Sequence, residues 1–121
     1  MSGIALDHVQ IAIPAGGEEA ARAFYGGLLG LAETPKPESL QSRGGLWFVL
    51  TCGVGFHLGI DGAFRPAAKA HPGFLCDDLN EVLARLKAAG HDVTRDTDLR
   101  GRARAYDADP FGNRLELIGP A

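Results

Sequence analysis

The feature that most constrains this chain is an order of elements that occurs twice. From Ile4 to Ile13 the residues alternate, with Leu6, His8, Gln10 and Ala12 on one side and Asp7, Val9, Ile11 and Ile13 on the other. That period predicts a strand, ended by Pro14. "AGGEEAARAFYGGLLG" then predicts a helix. Glu18 and Glu19 suit its first turn, Ala21, Phe24 and Leu28 share a face, and Gly30 suits its end. Three strands are expected next, at Leu31 to Thr34, Leu46 to Cys52 and Gly55 to Ile60, with turns at Gly44-Gly45 and Gly53.

After "DGAFRPAAKA", which reads as a linker, the order recurs. His71 to Asp77 reads as a strand. Leu79 to Ala89 reads as a helix, capped by Asp78 and ended by Gly90. Asp92 to Arg95, Arg102 to Asp107 and Asn113 to Ile118 read as three strands, the last two separated by the "DPFGN" turn. The chain is therefore expected to be a single domain, 1–121, of α+β class. Its two βαβββ modules span about 1–62 and about 71–121, with a linker at about 63–70.

Bulk properties narrow the function. The 121 residues are 45% hydrophobic and 22% charged, with a net charge of −3. Nothing in that balance favours nucleic acid or an anionic membrane as partner. The longest mostly apolar stretch without a formal charge, Leu46 to Ile60, is too short for a spanning helix and contains a histidine. The N-terminus shows no signal-peptide pattern. Cys52 and Cys76 belong to no CxxC pair and read as reduced, buried thiols of a cytoplasmic protein.

Taken alone, Glu116 in "RLELIGPA" reads as the solvent-facing residue of a half-buried strand. The repeat suggests another reading. His8 lies on the opening strand of the first half and His57 on its closing strand. His71 and Glu116 hold the same places in the second half. A pseudo-twofold relation would pair His8 with His71 and His57 with Glu116, all four aimed into one cavity. Each lies on the strand face away from the aliphatic row, among small neighbours such as Ala12, Gly59 and Gly73. Three imidazoles and a carboxylate suit a divalent metal such as Zn, Ni, Fe, Co or Mn. Such an ion, with coordination positions left open, would polarise a bound oxygen. His91 has no partner in this scheme and reads as a surface residue. One of Trp47 and Phe48 should face the cavity. Arg100, Arg102 and Arg104 read as a solvated face that could instead receive an anionic group.

The sequence resembles the vicinal oxygen chelate superfamily, which includes glyoxalase I, bleomycin-resistance proteins, fosfomycin-resistance thiol transferases, extradiol dioxygenases and methylmalonyl-CoA epimerase. "LDHVQIAIP", "ARAFYGGLLGL", "HPGFLCDDLNEVLARLKAAG" and above all "DADPFGNRLELI", which is similar to a DPxGNxxEL close, carry the resemblance over nearly the whole chain. It implies two βαβββ modules forming a cupped, mostly antiparallel eight-stranded sheet around a metal. It implies a homodimer, and His8, His71 and Glu116 at ligand positions. His57 stands where glyoxalase-like members carry glutamate or glutamine.

The fold family hosts several reactions, so activity must be argued from residues. Ala12 stands where glutathione-using members carry an arginine, Asp61 where an asparagine is common, and Gln10 where the fosfomycin transferases carry a threonine. The expectation is a metal-dependent enzyme acting on a small oxygen-chelating substrate. Glyoxalase-like lyase or isomerase chemistry is favoured, with Glu116 as the catalytic base. The alternatives are a non-catalytic small-molecule binding or resistance protein, a dioxygenase, or a thiol transferase.

Overall fold

A computed structural model describes residues 2–99 and 101–120. Eight strands form two four-stranded mixed sheets, one in each of two compact units, Met1–Arg65 and Pro66–Ala121.

In the first unit the strands are β1 (His8–Ile13), β2 (Ala32–Thr34), β3 (Leu46–Val49) and β4 (Gly55–Ile60), in the order β1-β4-β3-β2. β1 runs parallel to β4, and the other two pairings are antiparallel. A parallel neighbour needs a crossover, and the helix of the βαβββ unit lies in that connection. It begins as α1 (Glu18–Ala21) and continues as π-helical turns over Arg22–Leu28. The helix buries Phe24 and Tyr25. The Tyr25 ring lies 5.4 Å from that of Phe56 on β4 and 6.2 Å from that of Phe48 on β3. These three rings are at most 1% exposed and are the aromatic core of the unit.

Two further contacts fix the connections. Arg22 donates to both carboxylate oxygens of Glu33 on β2, at 2.8 and 3.1 Å, so the helix is tied to the edge strand. That bonding holds the Glu33 carboxyl below the usual carboxylate range. Gly45 enters β3 with φ 85°, and a Cβ there would stand 2.2 Å from the Leu58 carbonyl oxygen. Only glycine fits.

In the second unit the strands are β5 (Gly73–Leu75), β6 (Arg95–Leu99), β7 (Arg102–Ala108) and β8 (Arg114–Ile118), in the order β5-β8-β7-β6. β5 is parallel to β8 and the rest are antiparallel. The crossover helix is α2 (Leu79–Ala88). The Asp78 side chain caps it by accepting from the Glu81 N–H at 3.1 Å. Leu79, Leu83 and Leu86 on α2 and Ala105, Leu115 and Leu117 on the sheet are all buried.

Several expectations shift. The β1 ladder begins at His8 rather than Ile4, and Ile4 and Leu6 are exposed. A 3-10 turn over Glu38–Arg43 interrupts the β2–β3 connection. His71 precedes β5 instead of lying on it. β6 starts at Arg95, later than expected, because the chain leaves α2 with the His91 N–H bonded to the Leu86 carbonyl and Val93 buried. Cys52 is exposed in the β3–β4 turn and Cys76 is half-buried, so the reading of two buried thiols holds for neither; both are free. His91 is not a surface residue. Its Nδ1 donates to Asp107 Oδ1 at 3.0 Å and lies 2.8 Å from Oδ2. Arg100 lies outside the described residues.

The "DPFGN" turn is a closed hydrogen-bond system. Asp109 Oδ1 accepts from the backbone N–H of Phe111 and Asn113 at 2.9 and 2.8 Å, and Oδ2 accepts from Asn113 Nδ2 at 2.9 Å. Gly112 takes φ 90° to complete it. Asp109 and Asn113 are 5% and 8% exposed, so water cannot replace the bonds. Asp109→Ala leaves these donors buried without their acceptor. It should destabilise the chain by about 2–3 kcal/mol in urea unfolding; a loss below about 0.5 kcal/mol would show that the turn is not closed in this way.

Candidate functional site

The strand registers place the candidate residues alike in the two units. Gln10 sits opposite His57 on the parallel β1–β4 pair, and Gly73 sits opposite Glu116 on β5–β8. His8 is two residues before Gln10, and His71 two before Gly73. Each histidine is therefore diagonal to its partner across a parallel pair. The correspondence extends one strand further. Trp47 on β3 faces His57, and Tyr106 on β7 faces Glu116. In both units the opposite sheet face carries the apolar core.

In the first unit this face holds a column of rings. Trp47 and His57 stack at 3.9 Å between centroids and 4° between planes, and His57 and His8 stack at 4.5 Å and 16°. Gly55 makes room for this, since a Cβ there would stand 2.9 Å from His57 Nε2 and 3.0 Å from His8 Cβ. His57 is buried, and burial, reinforced by His8, pushes its pKa below 6.5. His8 is more exposed, and its Nδ1 contacts Asp7 Oδ2 at 2.8 Å. A carboxylate only accepts, so that nitrogen carries the hydrogen and Nε2 of the neutral ring is left bare. These residues, with Thr34, the strand neighbour of Trp47, and Leu40, line an open groove of about 560 Å³.

In the second unit the face is polar. His71 Nδ1 is 2.8 Å from the carbonyl oxygen of Lys69, and its Nε2 is 3.1 Å from Glu116 Oε1. Both partners are acceptors. With the Nδ1 hydrogen committed to the carbonyl, the Nε2–Oε1 contact sets a lone pair against a carboxylate unless a positive charge lies between them. That charge is either a second ring proton or a metal cation. Glu116 is 8% exposed, and its Oε2 accepts from Arg104 Nη1 at 3.4 Å. Arg104 is held in turn by Asp96, through Nε at 3.0 Å.

All four sequence candidates thus fall into two pairs, His8 with His57 and His71 with Glu116. Among the described residues no three His, Cys, Asp or Glu side chains cluster as a metal-holding group. The second pair fits a metal by its donor chemistry, since bare Nε2 and Oε1 face one another. His8 fits by its tautomer. The rings of His8 and His57 lie nearly parallel, so their in-plane nitrogens do not aim at one point; His57 is held against Trp47 instead. Asp7, Tyr106 and Arg114 belong to these faces and were not among the expected site residues. Asp7 was signalled by its place beside His8. Arg114 was signalled by period two from Glu116, and Tyr106 by its place in the repeat, which matches that of Trp47.

Comparison with known proteins agrees with this architecture. The family model of the Glyoxalase/Bleomycin resistance protein/Dioxygenase superfamily matches residues 5–117. The chain belongs to that superfamily. A crystal structure described as a glyoxalase family protein from Bacillus anthracis superposes with a TM-score of 0.92 at 41% identity, covering 100% of this chain and 98% of that one. A lactoylglutathione lyase from Agrobacterium tumefaciens (TM-score 0.66, 23% identity, coverage 91% and 90%) shares the fold. So does a fosfomycin resistance protein from Listeria monocytogenes (TM-score 0.70, 15% identity, coverage 100% and 95%). No curated protein matches the chain.

Trp47 is the only tryptophan, so its stacking on His57 can be read by fluorescence. An imidazolium quenches indole more strongly than a neutral ring does. Emission should fall on acidification with a midpoint below pH 6.5, and His57→Ala should abolish the transition. Because the folded pKa lies below the unfolded one, the unfolded chain binds more protons in that window. The contribution of His57 to stability is therefore complete above pH 6.5 and declines as the pH falls below it. A midpoint at or above 6.5 contradicts the burial argument.

Proposed function

We propose that this chain is a metal-dependent enzyme acting on a small oxygen-chelating substrate, with the two units as modules of one domain and with His8, His71 and Glu116 as ligands; His57, the fourth candidate, would have to leave its stack between Trp47 and His8 to join them. The observation that carries this reading is the His71–Glu116 contact, in which two acceptors meet at 3.1 Å and need a positive charge between them, which a metal ion or a second ring proton supplies. The equivalent register of His8 and His57, and the His8 tautomer fixed by Asp7, support it. When bound, a divalent ion would polarise a substrate carbonyl and acidify the adjacent C–H.

The chain's own residues would then do the rest. Glu116 is the carboxylate of the set and the residue placed to accept a proton; Arg104 fixes its Oε2 and so its orientation. His71 is oriented by the Lys69 carbonyl. Chemistry of this kind is that of a glyoxalase-like lyase or isomerase.

A homodimer belongs to this proposal. Ile4, Leu6 and Leu75 are 102%, 62% and 70% exposed, and a second copy would cover them. A cytoplasmic location is proposed from the two free cysteines. No helix among the described residues is long and apolar enough to cross a membrane.

A second reading rests on the first-unit groove. Its stacked Trp47, His57 and His8 rings offer an aromatic wall to a small molecule that is held and not transformed. Metal analysis of protein purified without a histidine tag decides between the two. The first reading predicts a stoichiometric divalent ion, with affinity reduced at least about tenfold in Glu116→Gln. No bound ion and no effect of Glu116→Gln would overturn it. Ligand-induced thermal stabilisation that survives a chelator would then favour sequestration.

A further inference from the structure

Two guanidinium groups flank Tyr106 on the polar face of the second sheet. Cζ of Arg104 is 5.2 Å from the Tyr106 ring centroid, and Cζ of Arg114 is 4.2 Å from it. The two are not electrically alike. Arg104 donates to Asp96 and to Glu116, and its Nη1 also reaches the Tyr106 hydroxyl at 3.2 Å. Two carboxylates offset its charge. Arg114 forms no ion pair among the described residues, and it is exposed. Its charge is left unbalanced, and unlike Arg102, whose Nε donates to the Gly119 carbonyl, it is stacked on the Tyr106 ring.

The stacking matters more than the charge alone. A guanidinium packed on an aromatic ring is held in position while the N–H donors along its edge stay open to a planar or tetrahedral anion. An arginine kept only for solubility gains nothing from being fixed. The register also puts Arg114 on the same face of β8 as Glu116, two residues away.

We propose that Arg114, with Tyr106 as its platform, is the anion subsite of this enzyme and takes the carboxylate or phosphate end of the substrate. The inference deepens the functional reading above and rests on it, because it places the oxygen-donor end of the same molecule at His71 and Glu116. Distance limits the substrate's length. The Tyr106 ring is 5.8 Å from the His71 ring and 4.2 Å from Arg114 Cζ, so the two ends are at most about 10 Å apart, the sum of those two legs. The substrate class is a small anion that carries a chelating oxygen pair a few bonds from its charged group.

The test is a titration of the full chain, without added metal and at constant ionic strength, with inorganic phosphate and separately with acetate. Binding is followed at the Tyr106 ring and Arg114 Nε signals by NMR. The proposal predicts saturable shifts with at least one anion, and the stronger response names the substrate's charged group. Affinity should fall about tenfold in Arg114→Gln and less in Arg114→Lys, as expected when a charge-assisted fork is replaced by nothing or by a point charge. Arg85→Gln, which alters an arginine paired with Glu81 on α2, should leave it unchanged. No saturable shift with either anion, or equal affinity in wild type and Arg114→Gln, overturns the proposal. Because no metal is added, that result is independent of the metal analysis. Either reading can fail while the other stands.

Discussion

The parallel pairing of the first and last strands in each unit is the constraint on which the rest depends. The crossover helix carries the chain to the far edge of the sheet, the last strand then closes beside the first, and their register decides which side chains meet diagonally. One residue of slip would turn His57 or Glu116 into the hydrophobic layer and bring an aliphatic side chain to the functional face. The buried rows prevent that slip. Phe56 and Leu58 bracket His57, and Leu115 and Leu117 bracket Glu116, each at most 1% exposed. The apolar core thus fixes the positions of the polar residues that oppose it.

The same register supports different chemistry in the two units. In the first, the residue facing His57 is Trp47, and His57 stacks on it with His8 stacked on His57 in turn. In the second, the corresponding residue is Tyr106, and charged groups surround it. Arg104 and Arg114 lie against its ring, and Glu116 lies between Arg104 and His71. Equivalent registers thus carry an aromatic face in one unit and an ionic face in the other.

Much of this was legible in the sequence because two periods carry it. Alternation along β4 and β8 put His57 and Glu116 opposite the apolar rows, and the recurrence of helix after strand gave the order of elements within each unit. What stayed hidden depends on contacts that no period encodes. The Asp7 and Lys69 acceptors fix histidine tautomers through geometry. The parallel stacking of His8 on His57 depends on the space left by Gly55. The start of β6 depends on how the chain leaves α2, and the pairing of His91 with Asp107 joins segments that no motif links. The resemblance to the superfamily added expected ligand positions but could not show that Arg104 shares Glu116 with His71.

The central claim is that the His71–Glu116 contact is a cation site, two acceptors that need a positive charge between them. Site-resolved nitrogen NMR of the His71 ring tests it most directly. The account predicts that added Zn²⁺ moves the Nε2 resonance into the metal-bound range, leaves Nδ1 bonded to the Lys69 carbonyl, and does so much less in Glu116→Gln. An Nε2 resonance that does not respond to the metal, with Glu116 intact, would contradict it.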